Sequence, residues 1–188
     1  MPWISGNRYL TLSEIYNNAA IIADIFRSSG WSRNAVSAML GNMQAESGCN
    51  PGIWEGLTPY QGGYGLTQWT PYTKYSAWYG PGWQDNGPGE CDRIMYEAAN
   101  NIQWFRNDEL GIDPPITFAD FTTSTLPVNT LSNYWLWFYE HPANPGPTEQ
   151  AIRQAYSQYM YNNIVAGTTL PPWLIIKMRN DVLRRCKL

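Results

Sequence analysis

The fold is decided by the stretch Gly41-Asn42-Met43-Gln44-Ala45-Glu46-Ser47-Gly48, which ends a segment with helical spacing of its apolar residues. Ser32 has the side chain of an N-cap, and apolar residues follow it at three- and four-residue intervals up to Met43. This predicts a helix that carries Glu46 on its apolar face. A carboxyl group in that position loses hydration and faces the negative end of the helix dipole, so its protonated form is favoured. Glu46 is therefore a candidate general acid, with a solvent-facing helix end as the alternative.

A glycine-rich segment follows and reads Gly62-Gly63-Tyr64-Gly65-Leu66-Thr67-Gln68-Trp69. Glycine permits tight turns and a close approach of the backbone to a ligand, so the segment predicts a short antiparallel hairpin. Gln68 offers an amide and Trp69 an aromatic face. A helix-terminal acid opposite such a hairpin would form a binding cleft.

Three stretches in this order resemble the phage tail lysozyme family. They are residues 41–52, residues 63–71 and the run Tyr139-Glu140-His141-Pro142-Ala143-Asn144-Pro145. The likeness covers about residues 8–165 and is greatest to the N-terminal lysozyme domain of tail-knob peptidoglycan hydrolases of short-tailed phages of Gram-positive bacteria. It implies a lysozyme-like fold, cleavage of the peptidoglycan glycan strand, and Glu46 as the catalytic acid.

A second likeness covers fewer residues. Glu46-Ser47 and Gly65-Leu66-Thr67-Gln68 are similar to the paired motifs of lytic transglycosylases. That likeness implies 1,6-anhydro products through a single acid/base. Hydrolysis by a muramidase and transglycosylation therefore both remain open.

The sequence predicts an α+β fold that is predominantly helical, with a lysozyme-like arrangement and a small β-hairpin lobe. Besides the helix that carries Glu46, helices are predicted over about residues 13–29, 72–79, 90–105, 117–123, 128–139 and 148–164. Residues 1–167 are expected to form the catalytic domain. Residues 168–188 form a basic amphipathic stretch, interpreted as a tail or linker helix that packs on the domain or docks on another virion protein.

Two of these helices carry explicit expectations about their buried faces. The helix over 90–105 is expected to align Ile94, Ala98, Ile102 and Phe105. The helix over 148–164 is expected to bury Ile152, Ala155, Tyr156, Tyr159 and Met160.

The composition favours recognition of sugars. Aromatic residues make up 15% of the chain and charged residues only 14%, and aromatic rings pack on the C–H faces of pyranoses. Most of the rings are expected in the core. The candidates for sugar contact are Trp54, Tyr60, Tyr64, Trp69 and Tyr72.

The charge and hydropathy of the chain exclude nucleic-acid-binding and membrane-bound classes of protein. A formal net charge of −3 gives no electrostatic footprint for nucleic acid or an anionic membrane, and no apolar run has the length of a membrane span. The first residues lack the pattern of an export signal. We therefore expect the protein in a virion tail tip acting on the host wall, or in the host cytoplasm before release. Its expected partners are the peptidoglycan strand and, through residues 168–188, other tail proteins.

His141 is the only histidine, which excludes a zinc peptidase with two or more histidine ligands, and no metal or cofactor is expected. A cysteine peptidase or amidase that pairs Cys49 or Cys91 with His141 is the rival enzyme class. Cys49 is expected to follow a helix rather than begin one, which argues against an activated thiol. The three cysteines, with Cys186, are expected to be free thiols.

A second carboxylate often completes a glycosidase. Glu55 follows Glu46 with eight residues between them, and it could position a water for hydrolysis. Glu140 could hold the cleft together or stabilise positive charge on the sugar, and Tyr139 could bound the same cleft. The Gly65 backbone, Gln68, Trp69 and Tyr64 are expected to position the strand. A wall-binding module without catalysis is the non-enzymatic alternative.

Overall fold

The computed structural model describes residues 2–142 and 146–165, and within them the chain is mainly helical, as predicted. The described α-helices are α1 Leu12–Ser28, α2 Arg33–Ser47, α3 Thr73–Tyr79, α4 Gly87–Ala99, α5 Phe118–Thr123, α6 Val128–Trp135 and α7 Pro147–Asn163. A short 3-10 turn covers Glu55–Leu57, and a π-helical turn covers Leu136–Glu140. The predicted tail, Cys186 and the domain boundary at residue 167 lie outside the described residues.

The ends of the first two helices follow from local side-chain chemistry. Thr11 and Glu14 form a capping box at the start of α1, and the Ser32 hydroxyl accepts from the Ala35 amide at 3.0 Å to cap α2. At its C-terminus α2 stops where Gly48 adopts a left-handed conformation with φ of 60°. Both helix predictions are confirmed.

Helix α2 is central, because it packs against α1, α6 and α7, and residues 35–43 are all buried. Gly41 lies where α7 crosses: a Cβ atom there would come within 2.1 Å of the Ser157 hydroxyl and 2.3 Å of its backbone nitrogen. Only glycine permits this close crossing without a backbone shift. The crossing brings the last turn of α2 beside the first half of α7.

The buried face of α7 differs from the predicted one. Ile152 and Tyr159 are 42% and 40% exposed, whereas Arg153 and Ser157 are buried. The buried polar groups are satisfied by the neighbouring helices: Ser157 bonds to α2 and α6, and Arg153 donates to the Asn42 amide oxygen at 3.2 Å. Met160 is fully buried as predicted, but the prediction was wrong for Ile152, Ala155 and Tyr159, because apolar periodicity cannot anticipate a polar face that is paired by another helix.

Helix α4 is shifted toward the N-terminus relative to the prediction. It begins at Gly87, where the Asn86 side chain caps it, and it ends at Ala99. Asn101 and Gln103 have positive φ, which ends any helical course, and Phe105 is 52% exposed rather than buried. Predicting the helix through residue 105 was therefore wrong.

The β-hairpin lobe that the sequence predicted does not form in the described residues. Isolated bridges pair Trp54 with Tyr64 and Tyr64 with Trp69, and residues 53–70 form no longer ladder. Positive φ values at Gly62, Gly65 and Gln68 interrupt the extended backbone that a ladder requires. The segment is a compact lobe of turns, held by packed aromatic rings. No helix in the described ranges combines the length and apolarity needed to cross a bilayer.

A buried carboxyl group supports this lobe from α4. Glu90 is fully buried and accepts the Leu66 amide at 2.7 Å, and a Cβ atom on Gly65 would lie 2.4 Å from the same carboxyl oxygen. The other oxygen has no hydrogen-bond partner in the described part of the chain. Burial raises the pKa of Glu90 well above its usual 4.5, which favours the neutral form of this group in the folded protein.

Replacing Glu90 with glutamine should therefore change how stability depends on pH. Above pH 4.5 the unfolded chain loses the Glu90 proton while the folded chain keeps it, so the stability from this group falls as pH rises toward the folded pKa. Glutamine does not titrate. In urea unfolding from about pH 5 to about pH 8, the free energy of unfolding of Glu90→Gln should rise relative to that of wild type by up to about 1.4 kcal/mol per pH unit. A constant difference across that range would contradict the assignment.

Candidate functional site

An open cleft of about 490 Å³ lies between the lobe of turns and the helices. The cleft is lined by seven of the candidate site and sugar-contact residues predicted from the sequence: Glu46, Trp54, Glu55, Gln68, Trp69, Tyr139 and Glu140. They come from four separate segments of the chain. The fold therefore brings together residues that the sequence motifs only suggested.

Glu46 occupies the last turn of α2, but its surroundings differ from those expected. Its side chain is 24% exposed and forms an ion pair with the Arg153 guanidinium rather than resting among apolar groups. In the free protein, the Glu46 carboxyl group thus lies at the cleft with the Arg153 guanidinium behind it.

Arg153 is the functional residue that the motifs missed. Its side chain is only 6% exposed, and besides Glu46 it contacts Glu149 at 2.6 Å and Asn42 at 3.2 Å. One signal could have found it: Glu149, Arg153 and Ser157 recur every four residues, which is a polar stripe along one helix face. A buried stripe of that kind needs a charged partner on another element.

Glu140 lies at the end of the π-helical turn, next to the same charges. Its carboxyl group accepts the Trp135 indole N–H at 2.6 Å. Burial and the negative charge of Glu46 raise its pKa well above the usual range, while Arg153 and the Trp135 hydrogen bond act in the opposite direction. Glu46, Arg153 and Glu140 therefore form one coupled group of charges, which we call the acid pair with its arginine.

The turn that follows Gly65 is fixed to the end of α2. Ser47, the neighbour of Glu46, donates to the Leu66 carbonyl at 2.8 Å. The Gln68 amide nitrogen donates to the carbonyls of Gly65 at 3.0 Å and Ile53 at 3.2 Å. These bonds hold the turn at a set distance from the catalytic candidate, and Gly65 itself contributes only backbone and does not line the cleft.

Tyr64 is not placed where a sugar-contacting residue would be. It is 1% exposed, and its hydroxyl accepts the Asp85 amide at 2.7 Å. Its ring packs between Trp54 and Trp83, with centroid distances of 4.7 and 4.8 Å. Tyr64 therefore belongs to the packing of the lobe.

Glu55 lies on the cleft wall formed by the lobe of turns. It is exposed, and its carboxylate accepts the Gly63 amide at 2.7 Å. A Cβ atom on Gly62 would lie 2.2 Å from that carboxylate, so the two glycines leave room for it. This places an anchored, solvent-accessible carboxylate in the cleft.

The cysteines do not offer the rival chemistry. Cys49 and Cys91 are both buried and unbridged, and burial raises the pKa of Cys49 to about 12. A thiol with such a pKa supplies almost no thiolate at neutral pH. His141 lines the cleft but stacks on Phe105 at 4.0 Å and hydrogen-bonds the Phe138 carbonyl at 2.8 Å.

The cleft has no cluster of metal ligands. In residues 2–142 and 146–165, no three His, Cys, Asp or Glu side chains gather closely enough to hold a metal ion.

A helical domain with a helix-terminal glutamate in a cleft closed by a glycine-rich turn defines a lysozyme-like class of protein. The model of the phage tail lysozyme family matches residues 17–164, and this chain belongs to that family. The resemblance drawn from the sequence is confirmed.

A particular relative supports the same assignment. Morphogenesis protein 1 of Bacillus phage B103 is 40% identical over 156 residues, which cover 81% of this chain and 41% of the relative. The chain thus spans about two-fifths of the length of that protein.

Proposed function

We propose that the chain cleaves the peptidoglycan glycan strand at the β-1,4 bond between N-acetylmuramic acid and N-acetylglucosamine, with Glu46 as the general acid. The observation that carries this proposal is the acid pair with its arginine at the cleft surface. Two carboxyl groups beside one fixed cation are a recurrent device for holding a transferable proton.

The charges around Glu140 decide where this site holds a proton. Burial and the negative charge of Glu46 raise the pKa of Glu140, so Glu140 is the carboxyl group of this pair in which the protonated form is favoured. Sugar in the cleft displaces water from Glu46, which favours the protonated form of that carboxyl group. Glu46 then gives its proton to the glycosidic oxygen as the C–O bond breaks, and Arg153 stabilises the carboxylate that remains.

The cleft suits a carbohydrate. Its volume of about 490 Å³ lies within the range of ligand sites. Lys74 adds a cation whose ammonium group contacts the Gln103 amide oxygen at 3.4 Å. The Lys74 cation complements the carboxylates of muramyl residues and their peptides.

The product spectrum tests this proposal. Mass spectrometry of digested purified peptidoglycan should show reducing N-acetylmuramic acid ends that have gained one water. Anhydro-muramyl ends without added water would replace the hydrolase with a lytic transglycosylase, in which the C6 hydroxyl of the muramyl residue attacks in place of water.

Hydrolysis requires a group that takes the proton of the attacking water, and we assign that role to Glu55. Glu55→Gln should slow release of reducing ends about a hundredfold, because loss of a general base removes that contribution. Glu109→Gln, an exposed glutamate outside the cleft, is the control and should match wild type. Unchanged rates in Glu55→Gln would remove Glu55 from the mechanism.

We further propose that the protein acts as part of a virion tail, because its family is that of phage tail lysozymes and its relative is a phage morphogenesis protein. The competing idea is a wall-binding tail module without catalysis. Purified walls that bind the wild-type protein without clearing would favour that module.

A further inference from the structure

A second buried acid, Glu97 on α4, lies directly behind the cleft. Glu97 is 1% exposed, and its two carboxyl oxygens accept three hydrogen bonds. One oxygen accepts the Trp69 indole N–H at 3.1 Å and the Arg93 guanidinium at 2.8 Å, and the other accepts the Tyr139 hydroxyl at 2.6 Å.

Two of these donors are cleft residues that belong to distant parts of the chain. Trp69 ends the glycine-rich turn, and Tyr139 lies in the π-helical turn directly before Glu140. The Tyr139 hydroxyl also contacts the Thr67 hydroxyl at 3.4 Å, which closes a link between the two cleft walls. Glu97 is thus the common acceptor on which both walls depend.

Burying these polar groups costs free energy unless each of them has a hydrogen-bond partner. Burial raises the pKa of Glu97, while hydrogen bonds from Tyr139, Arg93 and Trp69 act in the opposite direction. An apolar residue at this position would leave the indole N–H and the phenol O–H without their acceptor. Such fully connected polar networks fix one arrangement of the side chains that they join.

We infer that Glu97 is a positioning residue for glycan binding: it ties the glycine-rich turn at Trp69 to the π-helical turn at Tyr139, and so sets the spacing of the two cleft walls that these turns form. The inference rests on the proposed function and goes beyond it, because Glu97 itself does not line the cleft. Glu97 acts on substrate affinity through its two aromatic donors.

The test is steady-state kinetics on soluble, uncrosslinked peptidoglycan strands with Glu97→Gln, Tyr139→Phe and the double variant. Glutamine has one acceptor oxygen instead of two, so it cannot accept the Trp69 indole N–H and the Tyr139 hydroxyl on opposite oxygens as the carboxyl group does. Each single variant should raise KM about tenfold, the effect of one lost charge-assisted hydrogen bond. The double variant should raise KM no further, because both changes break the same link.

The readout separates positioning from folding. A smaller folded fraction lowers the apparent kcat and leaves KM unchanged, so a raised KM reports the geometry of the cleft. Glu90→Gln is the matched control: it alters another buried glutamate on α4, its amide oxygen can still accept the Leu66 amide, and its KM should equal that of wild type. Tyr139→Phe keeps the buried carboxylate and remains informative if Glu97→Gln does not fold.

The outcomes are distinct. If wild type clears walls but the variants keep its KM, or if their effects multiply, the positioning role is overturned and the proposed function stands. If wild type releases no fragments from walls or soluble strands, the proposed function fails and the inference falls with it.

Discussion

Replacing Glu46 with glutamine is expected to slow clearing of purified cell walls about a thousandfold, the middle of the range that general acids contribute. Glutamine keeps the size of the side chain and can still accept a hydrogen bond from Arg153, but it has no proton of suitable acidity for the glycosidic oxygen. The loss should appear in the rate of bond cleavage, while binding to walls persists. Turbidity clearing and a wall pull-down measure the two quantities.

Glu149→Gln is the matched control for this experiment. Glu149 is the other carboxylate partner of Arg153, at 2.6 Å, but it lies outside the lining of the cleft. Both variants remove one negative charge beside the same arginine, so only a role at the substrate separates them. Equal impairment of the two variants, or clearing by Glu46→Gln near the wild-type rate, would refute Glu46 as the acid.

Arg153→Met is expected to be the most destabilising of the substitutions considered, at about 3 kcal/mol in the free energy of unfolding. Removing the guanidinium leaves Glu46 and Glu140 facing one another without a cation and strips Asn42 of a partner. This loss lies at the lower end of the range for breaking a buried ion pair, because the Glu46 side chain is partly exposed to water. Urea unfolding measures it.

Arg153→Met should also move the pH dependence of activity. Arg153 lowers the pKa of Glu140, so its removal lets Glu140 keep its proton to higher pH. The alkaline limb of the pH–rate profile should therefore shift upward. Arg8→Met, which breaks the exposed ion pair with Glu14, should leave both stability and the profile nearly unchanged. If the alkaline limb does not shift in Arg153→Met, Arg153 does not influence the group that holds the proton.

Helix ends were predictable because their causes are local. The capping box of α1, the Ser32 cap and the left-handed Gly48 each depend on residues within one turn of the helix end. The three motifs were equally informative about family, since they keep their order along the chain. The sequence also indicated that Glu46, Gln68 and Glu140 would share a cleft.

Other features depended on contacts between distant segments. The π-helical turn at Leu136–Glu140 and the polar buried face of α7 have no local signature strong enough to override the apolar pattern. The prediction of a hairpin was wrong because glycines that permit a tight turn also permit the positive φ values that prevent a ladder. Trp69 was expected to bind sugar with its face, but its buried indole N–H serves Glu97.

The sequence by itself determined where most helices begin and end, to which family the chain belongs and which glutamate marks the cleft. Only the tertiary structure decided the electrostatics of that glutamate. Arg153 lies 107 residues further along the chain, and the close α2–α7 crossing at Gly41 brings it to Glu46. The physical reason is that the protonation of a carboxyl group depends on charges and water close to it in space, and sequence spacing does not report those distances.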